Sequence, residues 1–306
     1  MKLHILIVSL AFCLLSGCGG AEASAGNEGI PSGGAAAEPE TPPSLAEDET
    51  PAVITCRIVD GAEDGVLLLA ELGDGLYGGT GVYRLHTEGV PVTLDGAAAD
   101  ASVLEDGMPV DIAFSGAVDE SFPARLGDVY SITAWSRGQG QNGAGTLYDL
   151  CGLYLQVLDD LWQKDPALNE NISLAGLDLS EAPGNLTESE KSALAWRFGE
   201  THGVEVITGT FQELNEQGYF TASAISTPAP EEGQDFTRMW VQWEDGCLFS
   251  ITPNDNHQDE VYSLPVLFFN AEKWRTPLAA YCFYDCSAGW GEMGTWSYQV
   301  GSEMIS

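Results

Sequence analysis

The groups of this chain that could do covalent chemistry are its thiols, imidazoles and carboxylates. Five cysteines (Cys56, Cys151, Cys247, Cys282, Cys286) and three histidines (His86, His202, His257) lie beyond the first 20 positions. A thiol becomes a nucleophile when a base takes its proton or a cationic neighbour lowers its pKa. His257 is near enough in sequence to Cys247, Cys282 and Cys286 to define one option, a Cys/His hydrolase in the C-terminal half. Against it, the chain has few cations and no local signature surrounds those thiols. An odd number of thiols leaves at least one unpaired. On a single strand, Cys282 and Cys286 would hold their Cα atoms about 13 Å apart, too far for a bridge. Buried free thiols packed as small hydrophobes are the simpler reading.

Other chemistries are less well supplied. Asn254-Asp255-Asn256-His257-Gln258-Asp259-Glu260 gathers oxygen donors around one imidazole, but the calcium-loop register is absent. No His-x-x-x-His or Cys-x-x-Cys pair serves zinc, so no metal or other cofactor is expected and a polar hairpin tip suffices. Serine chemistry lacks its Gly-x-Ser-x-Gly elbow, and the Gly-rich stretch Arg137–Gly145 matches neither phosphate-loop pattern. Lys273-Trp274-Arg275 is the place where two bases stand closest. They form the candidate ligand-binding residues: an electropositive, aromatic spot for an acidic group or a sugar ring. The alternative is a strand-edge pair of bases neutralising Glu272 and Asp285, with Trp274 in the core.

The whole chain sets limits on partners. Among 306 residues, 46 are acidic and 11 basic, a net charge of −35, while 44% are hydrophobic. That apolar content builds a core, so the acidity lies on the surface, where it repels phosphate backbones and anionic head groups. Nucleic acid is excluded as a partner on this ground.

Residues 1–17 have the layout of a secretory signal: Lys2, an apolar run from Ile5 to Leu15, then small residues. Leu15-Ser16-Gly17-Cys18 follows directly and resembles the lipobox of bacterial lipoproteins. The resemblance implies that Cys18 receives a diacylglyceryl thioether and becomes the first mature residue, placing the protein on the extracytoplasmic face of the cell membrane. Two acyl chains give stable anchoring where one would be marginal. Residues 18–52 continue as a Gly-, Ala-, Pro- and Glu-rich segment without aromatics, read as a disordered acidic linker with a reach of about 30–35 Å.

Residues 53–137 show short apolar runs, VITCRIV, GVLLLAEL, GVYRLHT, PVDIAFSG and DVYSITAW, at intervals of about ten, the spacing of a small all-β barrel or sandwich. The passage Glu105–Thr133, with its Phe122-Pro123-Ala124 segment, resembles OB-like β-barrel domains of uncharacterised Gram-positive lipoproteins, which implies a barrel and brings no catalytic residue. A Gly-rich connector, 138–145, marks the boundary. Residues 146–306 then read as an α+β domain with an antiparallel sheet. A helix with an apolar stripe runs from Thr146 to Lys164. Strand-like Ile172–Ser180 needs a bulge near Gly176. Capping boxes at Thr187/Glu190 and Thr210/Glu213 open two more helices, and Val204–Ile207 reads as a short strand between them. Asp245-Gly246 signals a hairpin, and strands follow to the end. Phe269–Arg275 and Gly301-Ser302-Glu303 resemble C-terminal regions of anaerobic Gram-positive lipoproteins, with no activity implied.

The functional expectation is therefore a membrane-anchored lipoprotein that binds or scaffolds an envelope ligand or protein without catalysis, with the Cys/His hydrolase as the competing reading. Replacing Cys18 with Ala is expected to move the protein from the membrane to the soluble fraction. Mass spectrometry of the wild-type N-terminal peptide should show the acyl chains, and an unmodified thiol there would remove the anchor.

Overall fold

The computed structural model describes residues 50–73, 78–136, 149–227, 236–254, 256, 266–291 and 294–306. The leader, Cys18, the acidic linker up to residue 49, the connector 138–145 and His257 lie outside them. The apolar runs of the first region form β1 (Ala52–Asp60), β2 (Val66–Glu71), β3 (Val82–His86), β4 (Val92–Leu94), β5 (Ala97–Ala99), β6 (Pro109–Phe114), β7 (Ala124–Arg125) and β8 (Val129–Ala134). They make one sheet in the order β5-β4-β8-β6-β1-β2-β3-β7. Because side chains alternate along a strand, Ile54, Cys56 and Ile58 meet Val110, Ile112, Phe114, Leu67, Leu69, Tyr83 and Leu85 in one buried core. Val59, Leu68, Ala70 and Val82, on the opposite face, are buried too.

The closed OB-like barrel expected here is instead an open sheet, since its end strands β5 and β7 do not pair with each other. The last strand of the region is interrupted at Leu126-Gly127-Asp128. Its first half, β7, runs parallel to β3, and its second half, β8, runs antiparallel to β6. The short link between the halves curls the sheet over its core without closing it.

The second region begins with α1 (Leu150–Gln163), whose Asp149 side chain accepts the Gly152 N–H at 2.8 Å. Burial pushes this capping carboxyl up to about 6. Then come β9 (Leu174–Asp178), α2 (Glu188–His202), β10 (Glu205–Thr208), α3 (Phe211–Glu216), β11 (Thr221–Thr227), β12 (Phe236–Gln242), β13 (Gly246–Pro253), β14 (Val266–Thr276), β15 (Ala279–Trp290), β16 (Trp296–Gln299) and β17 (Ser302–Ile305). Both capping boxes form, and Gly203 ends α2 in the left-handed conformation it favours. The main sheet runs β10-β9-β13-β14-β15-β16, with β17 also on β15.

Three expectations are corrected. This sheet is mixed rather than antiparallel, because α2 carries the chain from β9 over to a parallel β10, and β13 pairs parallel on the other side of β9. No bulge is present at Gly176: β9 is buried on both faces, so its sequence has no need to alternate. Asp245-Gly246 does not close a hairpin. β12 pairs with β11, while β13 joins β9 and β14, because the Asp245 carbonyl oxygen accepts the N–H groups of Ser173 and Leu174 and draws the chain onto β9.

The two regions share a helix layer. α2 touches β1, β2 and β3 on one side and β10 on the other, and α1 touches β1 as well as β14, β15 and β16. One apolar cluster therefore runs from Leu68, Ala70 and Val82 through Tyr154, Val157, Leu194 and Phe198 to Phe249 and Phe269. Polar contacts fix the register of the layers. Arg57 Nε meets Glu190 Oε1 at 2.6 Å with both side chains largely buried, Ser189 Oγ donates to the Glu71 carbonyl oxygen at 2.6 Å, and Arg197 Nε meets Asp60 at 2.7 Å.

Arg57→Met strands the Glu190 carboxylate and is expected to cost about 3–5 kcal/mol in urea unfolding. Adding Glu190→Gln should recover part of that loss, since a neutral amide still caps α2 but leaves no charge behind. A double variant no more stable than the single would show that the charge is not what is stranded.

Candidate functional site

The three residues proposed from sequence lie together on β14, and the structure turns their charges inward. Lys273 has no exposed surface. Its Nζ donates to the carbonyl oxygens of Trp162, Lys164 and Asp165 at 3.1, 2.7 and 3.3 Å. These belong to the end of α1, where carbonyls lack helical partners and the helix dipole is negative. Burial pulls the ammonium down to about 8. Arg275 donates to the carbonyl oxygens of Glu170 and Glu244 at 2.9 and 2.5 Å, and more weakly to Trp243 and Leu168. Trp274 packs on Phe211 and Phe220 with ring centres 5.0 and 5.4 Å away. The protein partners of both bases are main-chain carbonyls, not Glu272 or Asp285. As a ligand-binding spot, Lys273, Trp274 and Arg275 are therefore replaced by a structural clamp on α1 and on the turn before β13.

The thiols are equally inward. All five described cysteines are buried and unbridged. Burial raises every one of them, to about 12 at Cys247 and Cys286 and well above the ordinary value at Cys56 and Cys151. Burial likewise raises Cys282, so at all five positions the thiol is favoured over the thiolate. His202 Nε2 lies 2.8 Å from Asp159 and its ring stacks on Trp162 at 4.3 Å, a packed position beside the end of α2. Among the described residues, no group of His, Cys, Asp and Glu is arranged to hold a metal ion.

A different site emerges from following every base to its partner. Arg57, Lys164, Lys191 and Arg197 face carboxylates, and Lys273 and Arg275 face carbonyls. Lys2, Arg137 and the Arg238 side chain lie outside what the structure describes. Arg84 on β3 and Arg125 on β7 remain, both exposed, and among the described residues neither guanidinium meets an anionic or carbonyl acceptor. They are register partners across the parallel β3–β7 pair, so both side chains leave the same face. Tyr83, next to Arg84, points into the core, which sends Arg84 and His86 outward. Together with Val90, Gly127 and Asp128 they line a crevice of about 430 Å³.

This crevice adjoins an aromatic hollow. The Arg84 guanidinium lies 5.9 Å from the centre of the Trp196 ring on α2. Trp196 and Phe122, the latter 64% exposed, wall a second space of about 380 Å³ floored by Ala195, Gly199 and Val206. Gly199 is required there: a methyl group at that position would sit 2.8 Å from the Val204 carbonyl oxygen and 3.0 Å from Val206 Cγ2, pushing β10 off the helix. The combined surface offers two exposed arginines and two aromatic rings from β3, β7, the loop before β7 and α2, together with the carboxylates of Asp128, Glu200 and Glu205.

No protein family, curated protein or solved structure matches this chain. Sequence reasoning put the candidate electropositive, aromatic spot on Lys273, Trp274 and Arg275, whose bases bond to main-chain carbonyls. The alternation of Val82-Tyr83-Arg84-Leu85-His86 does put Arg84 and His86 on a polar face, but nothing local says that Arg125 stands beside them.

Lys273→Met takes the donor from three carbonyls at the end of α1 and is expected to lower stability by about 2–4 kcal/mol, read from chemical denaturation. A variant as stable as the wild type would mean that the ammonium is not part of the fold.

Proposed function

We propose that this protein is a non-catalytic binding module of the cell envelope, held on the extracytoplasmic face of the membrane by acyl chains on Cys18. Its binding surface is the paired crevice and hollow around Arg84, Arg125, Trp196 and Phe122. The observation that carries the reading is electrostatic. In a chain of charge −35, two exposed arginines without an anionic partner among the described residues are register neighbours beside an exposed aromatic residue. Exposed aromatics and unpaired arginines are the residue types that concentrate binding energy at interfaces.

Two further features support a binding role. The burial of all five described thiols weighs against the hydrolase reading. The connectivity of the first sheet, a β1-β2-β3 meander with β3 parallel to the first half of an interrupted strand whose second half returns to β6, follows an OB-like plan. We read that sheet as an OB-like scaffold in an opened form, with the crevice beside the β3–β7 pair.

A photocrosslinking residue at position 122 in intact cells is expected to capture a partner or glycan that the same residue at Leu278, an exposed site between β14 and β15, does not. Trp196→Ala should reduce the capture. Equal crosslinking from both positions would remove this surface as a binding site.

A further inference from the structure

Building on the binding role proposed above, we infer that the crevice between β3 and β7 holds the oxyanion of an acidic sugar, a ring-borne carboxylate or phosphate, with the ring directed toward Trp196 and Phe122. The placement of the bases supplies the reason. Arg84 and Arg125 are opposite one another in register, and two guanidinium groups on neighbouring strands repel each other unless an anion lies between them. Each presents a fork of N–H donors, and a carboxylate or phosphate can accept from both at once. Every other described base except these two already has an acceptor within the fold. The ligand thus completes a set of interactions that the protein leaves open.

The rest of the lining indicates what the oxyanion is attached to. Asp128 stands on the rim of the crevice. It would repel a compact ion of high negative charge, yet it accepts hydrogen bonds from hydroxyl groups. His86 adds a second polar group that can donate or accept. The Arg84 guanidinium reaches the Trp196 ring, which lines the hollow together with Phe122 and offers a surface for the apolar side of a sugar ring. Glu200 and Glu205 on the same lining accept hydrogen bonds from hydroxyl groups and keep the oxyanion on the arginine side. Each space, about 430 and 380 Å³, falls within the size range of small-molecule sites. The strongly negative body selects against long polyanions and leaves room for a single acidic group that reaches both arginines.

Ligand-observed NMR titration of the full chain with glucuronate, glucose 6-phosphate, glucose and inorganic phosphate tests this. Glucuronate or glucose 6-phosphate, or both, should bind at least ten times more tightly than glucose, and their ratio tells carboxylate from phosphate. Arg84→Gln and Arg125→Gln, both at exposed positions, should each weaken the acidic sugars at least fivefold, and the double variant should bind them no better than glucose. Phe122→Ala should weaken the sugars and leave inorganic phosphate unchanged. The inference is overturned if glucose binds as tightly as its acidic counterparts, or if the double variant binds like the wild type. Should no acidic sugar bind while capture from position 122 persists, the inference fails and the binding role stands. Loss of both would end the two together.

Discussion

The carboxylate of Glu190 does two jobs at once, and the arrangement of the whole molecule depends on it. One oxygen accepts the Thr187 N–H at 2.8 Å and completes the capping box that starts α2. The other receives Arg57 Nε from a strand 133 residues earlier in the chain. A helix start and a sheet position are thereby fixed by a single side chain. Arg57 is committed on its other side as well, since its Nη1 donates to the Gly107 carbonyl oxygen at 2.9 Å. A buried ion pair of this kind adds little net stability over an apolar substitute, but it penalises every register in which the charges fail to meet. The apolar contacts between Leu68, Ala70 and Val82 and the two helices supply the adhesion, and the ion pair says where the layers adhere.

The same economy governs the remaining bases. A chain with 46 acids and 11 bases has few cations, and most of those the structure describes are used as fasteners: Arg57 and Arg197 between the sheet and α2, Lys164 on Glu303, Lys273 at the end of α1, Arg275 on the turn before β13. Lys273 makes the clearest case, since a buried ammonium is costly and is tolerated here because three carbonyls surround it. Against that background the freedom of Arg84 and Arg125 carries information. Neither guanidinium has an anionic or carbonyl acceptor among the described residues, and Arg84 lies only over the Trp196 ring, which is why the proposed binding surface is centred on them.

Local features of the sequence translated directly into structure. Thr187 and Glu190, Thr210 and Glu213, the Gly203 stop and the apolar stripe of α1 depend on residues three or four apart, so each helix could be read from its own segment. Alternation likewise revealed the strands of the first region. What could not be read was every fact requiring a distant partner. Asp245-Gly246 has the chemistry of a hairpin turn, yet Ser173 and Leu174 compete for its carbonyl and win. Lys273 and Arg275 look solvent-facing until α1 and the segment before β9 are laid across them. The short run Leu174–Asp178 could not reveal that it would be a central, doubly covered strand with parallel neighbours on each side. The candidate site belongs to this second class, because β3 and β7 meet only through the curl of the sheet.

The position of β1 has a mechanical meaning. Its first part, Ala52 to Arg57, pairs with β6 and its last part, Cys56 to Asp60, with β2, both antiparallel, so the two ladders overlap in the middle of the strand. A pull on the start of β1 along its own axis would load the β6 ladder in shear first and the β2 ladder only from about Cys56 onward. In that direction several hydrogen bonds of one ladder must yield together rather than peel one at a time.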